Sequence, residues 1–339
     1  MRTPNSPALL TDQYEWTMLA SALAEGSAAR RCTFEVFTRG LRGRRYGIVA
    51  GVPRLLDAVA RFQFGDEQLA FLHRMLDART LDWLAGYRCR GDIDGYPEGE
   101  LYCPGSPVLT VTGSFAEAVM LETLVLSVLN HDSAVASAAA RMASAAGQRP
   151  LVEMGGRRTH EEAAVAAARA AYLGGFSATS NLAAGQRYGI PTTGTAAHAF
   201  SLLHDSEADA FTAQVGALGA DTTLLVDTYD ITQGIATAIE VAGAGLQAIR
   251  IDSGDLGELA RQARAQLDRL GAPDVQIVVS GDLDEYSIAA LRAEPVDSYG
   301  VGTSVVTGSG LPTAGMGYKL VEVDGQPGAK RSTAKVSRG

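Results

Sequence analysis

Residues 222–255 read TTLLVDTYDITQGIATAIEVAGAGLQAIRIDSGD, and their rhythm decides the architecture. A continuous apolar strand, TTLLVDTYD, ends on Asp227 and Asp230. A helical stretch, QGIATAIEVAGAG, follows, and a second strand, AIRIDSGD, ends on Arg250, Asp252, Ser253 and Asp255. Strands that are apolar throughout are buried on both faces, which is the condition of a parallel sheet covered by helices.

The same unit recurs on both sides. Upstream, PLVEMG precedes EEAAVAAARAAYLGG, FSATSN precedes a helical turn through Gly185, and PTTGT leads into AHAFSLLH. Downstream, QIVVSGDLD precedes EYSIAALRAE, and DSYGVGTSVV closes the series. So many units without a long interruption predict a closed or nearly closed α/β barrel. The earlier chain has another character. TDQYEWTMLASALAEG has a cap at Thr11 or Asp12, helical spacing and a closing Gly26; RCTFEVFTRG alternates like a strand. Short β structure is expected around DIDGYPEGELYCPGSPV, then one long alanine-rich helix through FAEAVMLETLVLSVLNHDSAVASAAARMASAAG. These readings predict an N-terminal α+β domain over 1–113, an α/β barrel over 114–305 and a return segment over 306–339.

Composition narrows the function. A net charge of −9 argues against nucleic acid, which needs a basic face. Lysine occurs only at 319, 330 and 335, so an anionic ligand must be held by arginines. Cys32, Cys89 and Cys103 have no CxxC spacing, which fits a reducing cytoplasm and no disulfide or zinc scaffold. Neither a membrane span nor a signal-peptide pattern is expected.

Polar residues gather where the strands finish. Arg157 and Arg158 follow LVEMGG, Ser180 and Asn181 end FSATSN, and His198 follows TTGT. Gly281 and Asp282 end VVSGD, and Gly302, Thr303 and Ser304 end GVGTS. Any one of them reads as the cap of the next helix. Together they read as the C-terminal rim of a barrel, where barrel enzymes carry their chemistry, with the late glycines placed as a phosphate cradle. No GxxxxGK[ST], GxGxxG between strand and helix, or GxSxG is present. His198 sits behind a run of small residues in IPTTGTAAHAF; it is a nucleophile, base or ligand on one reading and a core histidine on another.

In this order and spacing the motifs resemble a known family. LLTDQYEWTML, EMGGRRTHEEAAVAAARAAYLGGFSATSNLAAGQRYGIPTTGTAAHAF, LLVDTYD, IRIDSGDL, VVSGDLDE and YGVGTSVVTGSG are similar to nicotinate phosphoribosyltransferases of an actinobacterial type, from about Leu9 to Lys335. The resemblance implies an irregular α/β barrel of the type II phosphoribosyltransferase kind with an α+β N-terminal domain. It implies an enzyme of NAD salvage that joins nicotinate to 5-phosphoribosyl-1-pyrophosphate (PRPP) with Mg²⁺, coupled to ATP hydrolysis, in a cytoplasmic homodimer with shared active sites. It also implies a further segment after KRSTAKVSRG.

The same resemblance assigns roles. His198 matches the phosphorylated histidine and Arg250 the site arginine; Arg157 lies near the ligand ring and phosphates, with Arg158 beside it. Asp252 matches a binder of ribose hydroxyls. Gly281, Asp282, Gly302 and Thr303 match the cradle for ribose and its 5′-phosphate. Tyr14 matches a tyrosine that stacks on the pyridine ring from the partner subunit. Magnesium ligands are not assigned, and Asp227 and Asp230 read as caps or ion-pair partners. The rivals are a nicotinamide or quinolinate phosphoribosyltransferase and a non-catalytic ligand-binding barrel. Ser180 favours nicotinate, because the nicotinamide enzyme has an aspartate at the matching place, which would repel nicotinate's carboxylate.

Overall fold

The computed structural model describes residues 6–328, so Lys330 and Lys335 lie outside the described residues. The chain divides into two compact units, one running to Ser137 and resuming at Leu311, the other spanning 138–310.

The first unit opens with α1 (Gln13–Glu25), entered at Asp12 and ended by Gly26 in a left-handed conformation. Its elements continue with β1 (Arg31–Thr38), β2 (Gly47–Ile48), α2 (Val52–Ala60), α3 (Asp66–Leu72), α4 (Ala78–Ala85), β3 (Asp92–Gly95), β4 (Leu101–Tyr102) and β5 (Leu109–Ser114). The Ser114–Glu117 capping box then starts α5 (Phe115–Val119). The long helix expected here is two helices: after a break at the buried Met120 and Leu121, α6 runs over Glu122–Ala146 and crosses the division between the units.

The second unit alternates strand and helix as its sequence predicts, except around PTTGT. Its elements are β6 (Leu151–Glu153), α7 (Glu161–Leu173), β7 (Ala178–Thr179), α8 (Leu182–Tyr188), α9 (His198–Leu202), α10 (Glu207–Leu218), β8 (Thr223–Leu225) and α11 (Ile231–Ala242). They continue with β9 (Ala248–Ile251), α12 (Leu256–Arg269), β10 (Gln276–Ser280), α13 (Glu285–Leu291), β11 (Ser298–Val301) and α14 (Thr303–Val306). The chain then returns to the first unit as β12 (Met316–Val323) and β13 (Gln326–Pro327).

In the first unit β12 pairs antiparallel with β1, and the sheet order is β13-β12-β1-β5-β3. Phe34 of β1 stacks on Tyr318 of β12 at 4.7 Å between centroids. Trp16, Phe62, Phe64 and Tyr87 form an edge-to-face aromatic cluster beneath α1. Each buried ring contributes roughly 1.5–3 kcal/mol through apolar burial.

The second unit holds the parallel sheet, in the order β7-β6-β11-β10-β9-β8. The two edges, β7 and β8, are neighbours in sequence, so the strands run around in chain order and the barrel stays open only between them. The strand expected from PTTGT is reduced to one bridge, Thr179 to Thr192. Pro191 removes a ladder donor, Gly194 weakens extension, and exposed small residues bury too little to hold a strand. The barrel is therefore irregular, and its open seam is the segment that carries His198.

Candidate active site at the strand ends

Most strand ends of the second unit carry a pair of polar residues, and one member of each caps a helix. Asn181 accepts from Ala184, Asp230 from Gln233, Asp255 from Glu258, and Asp284 from Tyr286 and Ser287, all through backbone N–H groups. The partners left over are Ser180, Asp227, Asp252 and Asp282. Capping thus explains half of the polar strand ends and releases the other half for chemistry.

The released residues between β8 and β10 form one network. Arg250 donates from Nε to Ser280 Oγ, from Nη1 to Thr195 Oγ1 and from Nη2 to Asp252 Oδ1, each at 2.7 Å. Ser280 donates to Asp252 Oδ1 at 2.5 Å. Burial pushes the Asp252 carboxyl up, but the Ser280 hydrogen bond and the Arg250 guanidinium outweigh it and hold the group below the usual carboxylate range. Gly281 is required here, because its φ is +117° and a Cβ would stand 2.4 Å from the Asp252 carbonyl oxygen. Asp282 follows with a left-handed φ of 50°.

The network continues to His198. Asp227 Oδ2 accepts from the Asp252 N–H at 2.9 Å and from Ser253 Oγ at 2.8 Å. Its side chain is only 1% exposed, and among the described residues Oδ1 has no hydrogen-bond partner. That oxygen lies 3.9 Å from Nε2 of His198, whose Nδ1 is 3.2 Å from Thr228 Oγ1. His198 is the first residue of α9 and is partly exposed, so it is not a core histidine. Glu207 stands behind this group; burial first, then Asp227 and Asp230, push its carboxyl up to about 7.

The β6 and β7 ends look different. Arg157, Arg158 and Ser180 are exposed, and among the described residues their side chains have no ion-pair or hydrogen-bond partner. Gly302 and Thr303 stand at the start of α14. Tyr14 belongs to the first unit, on α1, half exposed; burial and the neighbouring Glu122, which accepts its hydroxyl, raise its pKa well above the usual phenol value. Sequence reasoning left Asp227 aside as a cap or an ion-pair partner and passed over Thr195, Thr228 and Ser280. Asp230 alone does the capping, and a second acid three residues before a capping acid was the available signal. His160 caps α7 through its Nδ1, which accepts from the Glu162 N–H.

A curled parallel sheet with this rim, joined to an α+β unit, defines a pyridine phosphoribosyltransferase fold. Residues 9–130 match the nicotinate phosphoribosyltransferase (NAPRTase) N-terminal domain, and residues 135–309 match the quinolinate phosphoribosyl transferase C-terminal domain. A nicotinate phosphoribosyltransferase of Mycobacterium tuberculosis is 68% identical over 340 residues, covering 98% of this chain and 76% of the relative. The crystal structure of human nicotinic acid phosphoribosyltransferase superposes with a TM-score of 0.84 at 29% identity, over 94% of this chain and 76% of that one. A nicotinate-nucleotide pyrophosphorylase structure from Pyrococcus furiosus gives 0.83 at 26% identity, over 98% and 80%. The chain belongs to the nicotinate phosphoribosyltransferase family.

Proposed function

We propose that this rim joins nicotinate to PRPP in NAD salvage, releasing nicotinate mononucleotide and pyrophosphate, with ATP hydrolysis coupled through phosphorylation of His198. Family membership supports the first part. The observation that carries the second is the held imidazole: Thr228 meets one nitrogen, and the buried, unpartnered Asp227 Oδ1 faces the other. Contacts on both sides hold the ring in place, and a neutral imidazole nitrogen supplies the lone pair that attacks the γ-phosphorus of ATP. ADP leaves, and the phosphoryl group stays on the ring.

In the transfer step the pyridine nitrogen forms a bond to ribose C1 as the bond to pyrophosphate breaks. Positive charge grows on the ribose and negative charge on the leaving group. Arg250 has five N–H groups and uses three within the protein, so two remain for oxygens of the leaving group. Asp252 is held ionised for the ribose hydroxyls. Gly281, Asp282, Gly302 and Thr303 receive the ribose and its 5′-phosphate, and Arg157, Arg158 and Ser180 receive the nicotinate end.

Magnesium, when bound, neutralises charge on the pyrophosphate. Such an ion is held mainly by phosphates and water with one or two carboxylates, and the unpartnered Asp227 Oδ1 is the oxygen that fits it. The proposed assembly is a cytoplasmic homodimer in which Tyr14 of the partner subunit stacks on the pyridine ring. Among the described residues no helix is long and apolar enough to cross a membrane.

The test is an assay of nicotinate and PRPP with and without ATP. Nicotinate mononucleotide accumulating faster with ATP, in step with ADP, is expected. Equal rates without ATP and no ADP would remove the coupling, and no mononucleotide at all would remove the transfer reaction.

A further inference from the structure

Glu153, the last residue of β6, is completely buried and has no part in the scheme above. Its two oxygens serve two different loops. One accepts from the backbone N–H of Gly155, in the turn that leads to Arg157. The other accepts from Thr179 Oγ1 at 2.6 Å, at the end of β7. The Thr179 hydroxyl in turn accepts from the Asn181 N–H at 3.0 Å. Glu153 thus accepts from two donors, the Gly155 N–H and the Thr179 hydroxyl, and the Asn181 N–H is tied to it through Thr179.

The backbone repeats the connection. The Ser180 N–H donates to the Glu153 carbonyl at 2.8 Å, and Thr179 exchanges bonds with Pro191 and Thr193 of the open seam at 3.0 Å each. The turn at Gly155 is wedged as well. A Cβ there would lie 2.2 Å from Val306 Cγ1 and 3.0 Å from the Gly302 carbonyl oxygen. Burial pushes the Glu153 carboxyl up, against the two hydrogen bonds that favour its charge. A buried carboxylate is an expensive way to finish an apolar strand, and what it obtains here is geometry across two loops.

We propose that Glu153 is a positioning residue that clamps the Arg157 turn to the Ser180 turn and so sets the spacing of the donors that receive the carboxylate of nicotinate. This rests on the reading that those two turns hold nicotinate. A residue that merely stabilises the strand end would change melting temperature and leave substrate selectivity alone.

The experiment uses the whole chain, with Glu153→Gln, Thr179→Val, Thr179→Ser and the double variant Glu153→Gln/Thr179→Val. Amide hydrogen exchange is followed over 155–158 and 180–182, and KM is measured for nicotinate and for PRPP. In Glu153→Gln both turns should exchange faster although they follow different strands. KM for nicotinate should rise about tenfold while kcat and the KM for PRPP stay within about threefold, since loss of position weakens one ligand end. Thr179→Val should give the same pattern, Thr179→Ser should restore it, and the double variant should be no worse than either single one.

Exchange changing in one turn only, or a lower melting temperature with an unchanged KM for nicotinate, would overturn the proposal. If Glu153→Gln does not fold, the Thr179→Val and Thr179→Ser pair decides. If the unmodified chain makes no nicotinate mononucleotide, the nicotinate reading falls separately, and the exchange pattern alone decides whether the clamp exists.

Discussion

Two sides of the same rim hold their charges in opposite ways. From β8 to β10, Asp227, Asp252, Ser280 and Arg250 are bonded to one another, and the chain of bonds reaches Thr195 and ends against His198. At the β6 and β7 ends, Arg157, Arg158 and Ser180 stand exposed without side-chain partners among the described residues, above the buried Glu153. The difference fits the two roles proposed for these sides. Groups that stabilise charge as it develops work best when already oriented, so that nothing reorganises during the reaction. Groups that recognise a ligand must keep their donors free until it arrives.

The comparison breaks most severely at His198. His198→Ala should abolish ATP hydrolysis and the acid-labile phosphoenzyme, while slow synthesis of nicotinate mononucleotide from PRPP persists, because bond formation at ribose C1 does not pass through the imidazole. Phosphopeptide mass spectrometry with an ADP assay reads both. Unchanged ATP hydrolysis would take the histidine out of the wired side.

Arg250→Lys tests whether the wiring itself matters. Lysine keeps the charge but cannot reach Ser280, Thr195 and Asp252 together in a planar fork. The expected loss in kcat/KM corresponds to about 1.5–3 kcal/mol, the range for a charge-assisted hydrogen bond. Kinetics within twofold of the unmodified protein would make Arg250 a bystander.

On the proposed reading, the exposed side answers to selectivity instead of rate. Ser180→Asp places a second carboxylate at the proposed seat of nicotinate's own, where an effective dielectric of ~20 makes the repulsion a few kcal/mol. The kcat/KM ratio of nicotinate to nicotinamide should fall by about tenfold or more. Asn181, not Ser180, caps α8, so a capping role for Ser180 is already removed as a competing account. An unchanged ratio in a folded variant would place nicotinate's carboxylate elsewhere.

The smallest effect belongs to Arg158→Gln. An exposed arginine without a side-chain partner among the described residues should contribute little to stability, so the melting temperature should stay the same. KM for substrates should rise only a few-fold, less than for Arg157→Gln. Equal losses at both positions would mean that the two arginines act as a pair.

Much of this molecule is legible along the chain. The apolar strands ending on polar residues announce the parallel sheet, and the order of their motifs announces the family. The failures are specific. PTTGT reads as a strand, yet its neighbours offer it one bridge, because strand formation depends on a partner edge as much as on propensity. The helix expected from Phe115 onward breaks at Met120 and Leu121, both buried, where packing overrides a helical pattern.

The deepest division runs through the pairs of polar residues at the strand ends. Capping is a local contact, from a side chain to an N–H two or three residues ahead, and the sequence by itself contains that spacing. It therefore determined that Asn181, Asp230, Asp255 and Asp284 could begin helices, as well as the order of strands that produces one rim. Only the tertiary structure decided that Asp227 reaches from β8 to the backbone of Asp252 and leaves one oxygen facing His198. It alone brought Arg250 to Thr195, 55 residues away, and joined Glu153 to Thr179, 26 residues on. Those contacts depend on register between neighbouring strands and on burial that excludes water, and neither quantity is a property of any short stretch of chain.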